Sequence, residues 1–180
     1  MRKDGGEMVN VADINLANVL LREETGNDLD AIHQVHELAF GGDGEARLVD
    51  DLRQNDFAAI SIVAEQQGKI VGHILLSRLA APMRALALAP VGVHPSFQRQ
   101  GIGSALIRKG LMRAQEDCWT SIFVLGDPAY YKRFGFNTDG ARSYTSPYSG
   151  DHFMILSFGP EPIPANGEIV YPFPFSLLDE

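Results

Sequence analysis

The stretch HPSFQRQGIGSAL, residues 94–106, joins an apolar, strand-like run to a helix-like run. Gly101 and Gly103 stand where the second run begins. Glycine lets a ligand approach the backbone because it has no Cβ, and the free N–H groups at the start of a helix favour anions. The stretch therefore predicts a phosphate-binding turn, to which Gln98 and Arg99 add donors and a charge. A tight turn without a ligand is the alternative.

Two other phosphate-binding patterns do not fit this stretch. A dinucleotide-binding turn needs G-x-G-x-x-G, but Leu106 stands where the third glycine is required. A Walker-type loop needs G-K-[ST], and no such triplet follows Gly101. What remains is a set of backbone N–H groups at the positive end of a helix, which suits a pyrophosphate.

The run before the turn, RALALAPVGVHP, carries Pro90 inside an apolar strand pattern. Proline has no N–H to donate to a sheet, so the strand is expected to bulge or to leave its neighbour near Pro90. The backbone groups that this exposes need new partners, and an extended ligand with amide groups can bind them as an added strand does. Coenzyme A has this shape, because an amide-containing pantetheine arm follows its pyrophosphate.

The whole chain predicts a single domain over residues 16–180, preceded by a mobile N-terminal tail at 1–15. Strand-like runs alternate with segments at helical spacing, which predicts class α/β, or α+β with a mixed sheet, and helices on both faces. Strands are predicted at 17–24, 59–65, 70–79, 84–95, 121–126 and 152–158, and a further strand is considered at 167–173. Helices are predicted at 26–40, 45–54, 101–116 and 127–134, the last with Asp127 as N-cap, Pro128 at its first position and Gly135 past its end.

Several motifs together resemble the GNAT N-acetyltransferase superfamily. The run V-x-P-x-x-Q-x-x-G-I-G-x-x-L, from Val93 to Leu106, is similar to its motif A, and YYKRFGF at 130–136 is similar to its second hallmark. The combination with HFMIL more closely resembles the YhbS-like branch, over roughly residues 18–175. The resemblance implies a central, mostly antiparallel sheet that splays between its fourth and fifth strands. It also implies acetyl-CoA as acyl donor.

The resemblance assigns roles to individual residues. Pantetheine would bind the backbone of Val91, Gly92 and Val93. The pyrophosphate would bind the turn and the start of the helix, at Gln98, Arg99, Gln100, Gly101, Ile102, Gly103 and Ser104. Tyr131 matches the general acid, which assists the departing thiolate by donating a proton or only a hydrogen bond, since a phenol is a weaker acid than a thiol. A packed aromatic is the structural alternative for Tyr131, and Tyr130 is expected to pack.

No general base is evident, because the strands at 84–93 and 121–126 contain no acidic residue. Glu37 and Glu45 lie where the family admits the acceptor, but solvated charges are the favoured explanation for both. Asp127 is accounted for by its role as N-cap. His73 is expected to be an ordinary core or surface histidine, whereas His94, which follows the predicted cofactor-binding strand, can face either side.

Two further features are not expected to carry the chemistry. His33 and His36 form an H-x-x-H pair on a predicted helix, but no third ligand is evident and we predict no metal site. The single cysteine, Cys118, is expected to be a buried small apolar residue, which leaves no candidate for a covalent acyl intermediate.

Composition limits the partners. A net charge of −8 argues against a nucleic-acid partner, since phosphates are neutralised by a surplus of Lys and Arg. No apolar run is long enough to span a membrane and no signal peptide is evident, so a cytoplasmic location without membrane association is expected. The expected partner is a small-molecule or peptide amine, and a homodimer is compatible with the family resemblance alone.

Three hypotheses follow. The first is direct transfer of an acetyl group from acetyl-CoA to an amine. The second is a non-catalytic sensor or interaction module that binds CoA or acyl-CoA, which the lack of an evident base suggests. The third keeps the fold but uses a longer acyl-CoA as donor.

We also predict that the apolar residues of 169–175 pack on the domain, because otherwise they would form an exposed apolar patch.

Overall fold

The structure, a computed structural model, describes residues 16, 18–159 and 162–179. The predicted mobile tail at 1–15 lies outside the described residues. The main sheet has six strands in the order β1-β2-β3-β4-β5-β7. These strands are β1 (Val19–Glu23), β2 (Ala58–Gln66), β3 (Lys69–Arg78), β4 (Ala85–Val93), β5 (Ser121–Leu125) and β7 (Phe153–Ser157). All neighbours are antiparallel except β4 and β5, which are parallel. A separate pair joins β6 (Tyr144–Thr145) to β8 (Gly167–Glu168).

Helices cover both faces of the main sheet, as predicted. The helices are α1 (Leu29–Phe40), α2 (Gly44–Gln54), α3 (Ile102–Glu116) and the short α4 (Pro128–Tyr131). Adjacent residues of the central strands enter different cores: Ile62 packs with α3, whereas Val63 packs with α1 and α2. Strands that are buried on both faces need apolar residues at successive positions, which explains the continuous apolar runs of the sequence.

Gly110 lets α3 lie close to the sheet. A Cβ at this position would come within 3.1 Å of Cδ1 of Leu76 on β3. The short helix also begins and ends as predicted, since Oδ1 of Asp127 accepts a hydrogen bond from the N–H of Ala129 at 2.9 Å, and Gly135 follows in a left-handed conformation with φ +96°.

Pro90 marks the place where the sheet opens. β4 pairs with β5 only from Ala85 to Ala87, and on its other side its register with β3 shifts between Leu88 and Val91. The predicted bulge and the predicted departure from a neighbour are therefore both confirmed. The resulting wedge between β4 and β5 positions the candidate site.

The C-terminal segment packs on the α1–α2 side, although little of it is a strand. Ile169 and Phe175 are buried and Tyr171 packs beside them, as expected. Val170 and Phe173 are instead exposed, at 47% and 57%. Beyond the two residues of β8, the segment makes one bridge, at Val170, and then forms a 3-10 helix over Phe173–Asp179.

The expectation for Cys118 is wrong, because its side chain is exposed. The residue follows the last turn of α3 in a left-handed conformation, with φ +59°. The chain therefore reverses direction at Cys118, outside both cores. Among the described helices, none is long and apolar enough to cross a membrane.

Candidate active site

The open edge of β4 offers backbone groups to an extended ligand. The N–H of His94 donates to the carbonyl of Val71 at 2.9 Å, and Gly92 lies opposite His73 in the same register. Because an antiparallel ladder alternates, the peptide groups of Gly92 face β3, while those of Val91 and Val93 face the wedge. The three predicted pantetheine residues are thus together, but only Val91 and Val93 direct their N–H and C=O groups to the open side.

The turn after β4 collects unpaired N–H groups at the start of α3. Within the described part of the chain, the backbone N–H groups of 99–104 form no backbone hydrogen bond, and the first helical bond runs from Ala105 to Gly101 at 3.0 Å. Arg99 and Gly101 both have positive φ, +59° and +87°, which shapes the turn. This cluster has the donor arrangement that a pyrophosphate requires.

The side chains of the turn divide between structure and solvent. Gln98 donates from Nε2 to the carbonyl of Val93 at 3.0 Å, so it closes the turn, and Gln100 reaches the carbonyl of Ser96 at 3.4 Å. Arg99 is exposed. The side chain of Ile102 is buried in the core, which anchors the first turn of α3 while leaving its N–H on the outside.

The two tyrosines of α4 have different surroundings. The hydroxyl of Tyr130 lies 3.3 Å from Oγ of Ser104, and the guanidinium of Arg133 stacks 4.5 Å from its ring centroid. Tyr130 thus packs, as expected, but its hydroxyl also touches the predicted pyrophosphate turn. Tyr131 lines a cavity together with the Ala89–Val91 part of β4. Burial and the neighbouring Tyr130 raise the pKa of Tyr131 to about 12, so its hydroxyl keeps its proton at neutral pH.

That cavity has a volume of about 350 Å³ and lies at the mouth of the wedge. One side is formed by Leu88–Val91 and Tyr131, and the other by the end of α1, the start of α2 and the C-terminal segment. The described residues of its lining are apolar or aromatic, the latter including three tyrosines, except for one carboxylate, that of Glu45. The described residues that line it are Phe40, Glu45, Leu48, Leu88, Ala89, Pro90, Val91, Leu125, Tyr131, Tyr148, Tyr171, Phe175 and Leu178.

Among the base candidates, only Glu45 lines this cavity. Glu37 is exposed on α1 and lies 3.7 Å from His33. Asp127 is engaged as N-cap, and Nδ1 of His94 accepts a hydrogen bond from the N–H of Ser96 at 3.2 Å.

A buried polar chain, which sequence reasoning missed, runs behind β4. Nε2 of His36 lies 2.8 Å from Nδ1 of His73, Nε2 of His73 lies 2.8 Å from Oγ of Ser61, and Ser61 donates to Glu24 at 2.5 Å. The far end of the chain, Nδ1 of His36, is aimed at Gly92, where a Cβ would come within 2.8 Å. His36 and His73 are fully buried. The chain therefore connects the end of β1, at Glu24, with β2, β3 and α1, and it ends at the strand that bounds the wedge.

The charge of Glu24 sets the direction of these hydrogen bonds. Burial raises the pKa of Glu24, but hydrogen bonds from His73, Arg53 and Ser61 outweigh burial and hold it well below its usual range. An ionised carboxylate only accepts, so Ser61 donates to Glu24, His73 donates to Ser61, and His36 donates from Nε2 to His73. Burial and the neighbouring His73 lower the pKa of His36 to about 3, so its Nδ1 carries a lone pair with no partner among the described residues.

The H-x-x-H pair separates in the structure. Nδ1 of His33 lies 2.7 Å from Asp50 on α2, whereas His36 points into the core toward His73. Within the described residues, no group of three or more His, Cys, Asp or Glu side chains is arranged to hold a metal ion.

Sequence comparison identifies the class of protein. Residues 58–138 match the family described as "Acetyltransferase (GNAT) domain". The uncharacterized N-acetyltransferase YjhQ of Escherichia coli is 35% identical over 157 residues, which cover 79% of this chain and 86% of YjhQ. The chain belongs to the GNAT family of acetyltransferases.

Solved structures agree with this assignment. A crystal structure of YhbS from Escherichia coli in complex with CoA matches with a TM-score of 0.82 and 26% identity. The match covers 88% of this chain and 92% of the YhbS chain. A GNAT family acetyltransferase from Brucella melitensis in complex with acetyl-CoA matches with a TM-score of 0.75 and 33% identity, and covers 87% of this chain and 97% of that one. The mixed sheet with a parallel β4–β5 pair is thus the GNAT fold.

Proposed function

We propose that the chain is an acetyl-CoA-dependent N-acetyltransferase that transfers the acetyl group directly to a primary amine. The observation that carries the proposal is the position of Tyr131, whose side chain lines the same cavity as the Ala89–Val91 stretch that leaves β5. The relatives crystallised with CoA and acetyl-CoA support the choice of donor.

The chain has groups suited to each part of acetyl-CoA. The unpaired N–H groups of 99–104 suit the pyrophosphate, and the open edge of β4 at Val91 and Val93 suits the amides of pantetheine. The donor, when bound along this path, supplies the acetyl group as a thioester. Tyr131 then stands at the end of the path.

Tyr131 has one task in this scheme, which is to stabilise the leaving sulfur. The amine nitrogen forms a bond to the acetyl carbon as the C–S bond breaks, and the negative charge that develops on sulfur needs a donor. Its pKa of about 12 makes Tyr131 a weaker acid than an ordinary tyrosine, so it is present as the neutral donor throughout the neutral pH range. A hydrogen bond to the sulfur is therefore its primary contribution.

The test is a screen for acetyl transfer. The chain is incubated with acetyl-CoA and a library of amines, and both free thiol and acetylated product are measured. Product with at least one amine class supports the proposal. If calorimetry shows CoA binding but no amine gives product, the proposal is contradicted and the non-catalytic CoA-binding module is favoured. If product forms only with longer acyl-CoA donors, the donor is a longer acyl-CoA and not acetyl-CoA.

A further inference from the structure

We infer that the acceptor is a small primary monoamine with an apolar body, bound by the apolar cavity and by the carboxylate of Glu45. The inference rests on the proposed acetyltransferase function and specifies the class of amine that the same site accepts. It is argued from the walls of the cavity, its mouth and its charge.

The walls beyond the predicted thioester position are hydrocarbon and aromatic. Phe40 ends α1, Leu48 lies on α2, and Tyr171 and Phe175 come from the C-terminal segment. Burial, together with Tyr148, raises the pKa of Tyr171, so this phenol is also neutral. A volume of about 350 Å³ is in the range of small-molecule sites, and the lining matches an apolar body.

The mouth of the cavity is also apolar. Three of its lining side chains are substantially exposed: Phe40 at 46%, Leu125 at 50% and Leu178 at 38%. Large apolar side chains that are exposed together around a cavity mark a surface that an apolar ligand covers. A polar peptide would leave its backbone groups unpaired against these walls, which is costly.

Glu45 supplies the attraction for a cation. Glu45 is half-buried at the start of α2, and among the described residues it is the only charged one that lines this cavity. A primary amine arrives as an ammonium ion, and a carboxylate in an otherwise apolar site binds such an ion strongly. Glu45 can pair with only one ammonium group, so a polyamine would have to bury its second positive charge among Leu and Phe side chains.

The same carboxylate completes the proton balance. The ammonium carries two more protons on nitrogen than the amide product does. One is released through Glu45 to solvent before the nitrogen attacks, and the other replaces the acetyl group on sulfur by way of the Tyr131 hydroxyl. No oxidant, reductant or further reactant is needed.

The first test compares amines of one series. From ethylamine through butylamine to hexylamine, kcat/KM should rise about three- to fourfold per added CH₂ until the cavity is full. Hexamethylenediamine, matched in length to hexylamine, should give a kcat/KM at least about tenfold lower. A flat series, or a preference for the diamine or for a peptide N-terminus, overturns the inference.

The second test removes the charge of Glu45. Glu45→Gln should lower kcat/KM for hexylamine about tenfold, mostly through KM for the amine. Glu37→Gln is the matched control, because Glu37 is acidic, lies on the neighbouring helix and does not line the cavity. Equal effects of the two substitutions contradict the role of Glu45.

The third test adds a charge at the mouth. Leu178→Glu should narrow or reverse the preference for hexylamine over the diamine, because it provides a partner for the second ammonium. Leu177→Glu is the control, since Leu177 is also exposed on the same 3-10 helix, at 50% against 38% for Leu178, but does not line this cavity. The inference predicts that only Leu178→Glu changes the ratio of kcat/KM values.

The outcomes separate the inference from the proposed function. If peptides or polyamines are acetylated and apolar monoamines are not, the substrate class is wrong but the acetyltransferase function holds. If acetyl-CoA binds and no amine of any class is acetylated, both are wrong. Thermal unfolding of each variant shows whether a loss of activity reflects a loss of folding.

Discussion

His36 should make the stability of the protein depend on pH between the pKa values of its native and unfolded states. Burial lowers the pKa of His36 to about 3, whereas a histidine in the unfolded chain has a pKa of about 6.5. Between these values the unfolded state binds a proton that the native state does not bind. The contribution of the neutral His36 to the free energy of unfolding is therefore fully present above the unfolded pKa of about 6.5, and it is lost progressively as the pH falls below that value.

The size of the effect follows from the two pKa values. At pH 5 the unfolded histidine is about 1.5 units below its pKa, while the native imidazole is still neutral, and each unit corresponds to about 1.4 kcal/mol. His36 alone should therefore lower the free energy of unfolding by about 2 kcal/mol between pH 7 and pH 5. Glu24 contributes little to this change in the free energy of unfolding, because its carboxylate is ionised in both the native and the unfolded state over most of the range from pH 7 to pH 5.

The assay is urea unfolding of the wild type and of His36→Phe at both pH values. The phenyl ring can keep the stacking of residue 36 on Phe40, whose ring centroid lies 5.9 Å away, but it cannot titrate. We expect the wild type to lose about 2 kcal/mol more than the variant on acidification. The histidines that do not contact residue 36 are common to both proteins, so their contributions cancel in the comparison. The same loss in both proteins would refute a buried neutral His36.

Two glycines carry further predictions. Gly92→Ala would place a Cβ within 2.8 Å of Nδ1 of His36, so the free energy of unfolding in urea should fall by about 1–3 kcal/mol. At Gly26 an added Cβ would meet no described atom within 4 Å beyond its chain neighbours, so Gly26→Ala should change the free energy of unfolding by less than about 1 kcal/mol. Similar effects of the two substitutions would show that the His36 ring does not lie against Gly92. Gly101→Ala puts a side chain on a residue with φ +87° at the start of α3, so calorimetry should show weaker CoA binding; unchanged affinity would contradict the pyrophosphate turn.

Local sequence patterns were sufficient for much of the fold. Each strand at the centre of the sheet was predicted because it is a continuous apolar run, and the wedge was predicted because Pro90 cannot donate to a ladder. The short helix before Phe136 was predicted because Asp127, Pro128 and Gly135 each act within a few residues of their own position.

The features that depend on tertiary packing were not predicted. His36, Ser61 and His73 lie on three different elements and Glu24 directly follows a fourth, and no local pattern shows that they form one hydrogen-bonded chain. The choice between Glu37 and Glu45 depends on how α1 and α2 dock against the C-terminal segment, so sequence left both open. The predicted burial of Cys118 was wrong, because the residue adopts a left-handed conformation after α3 and the chain reverses direction there.

The position of the C-terminal segment was predictable only in part. Its apolar residues indicated packing, and Ile169 and Phe175 are buried. Its prolines at 172 and 174 prevent a long strand, however, so residues 173–179 form a 3-10 helix that covers one side of the cavity. This cover adds Phe175 and Leu178 to the apolar lining of the cavity.

The most direct test of the central claim is single-turnover acetyl transfer by Tyr131→Phe, compared with the wild type at saturating acetyl-CoA. The substitution removes one hydroxyl and keeps the ring that lines the cavity. The account predicts that CoA affinity is unchanged while the rate of acetyl transfer falls roughly 100-fold or more. Tyr130→Phe, which removes a hydroxyl at Ser104 instead, should retain far more of the transfer rate. A Tyr131→Phe rate close to that of the wild type would contradict the account.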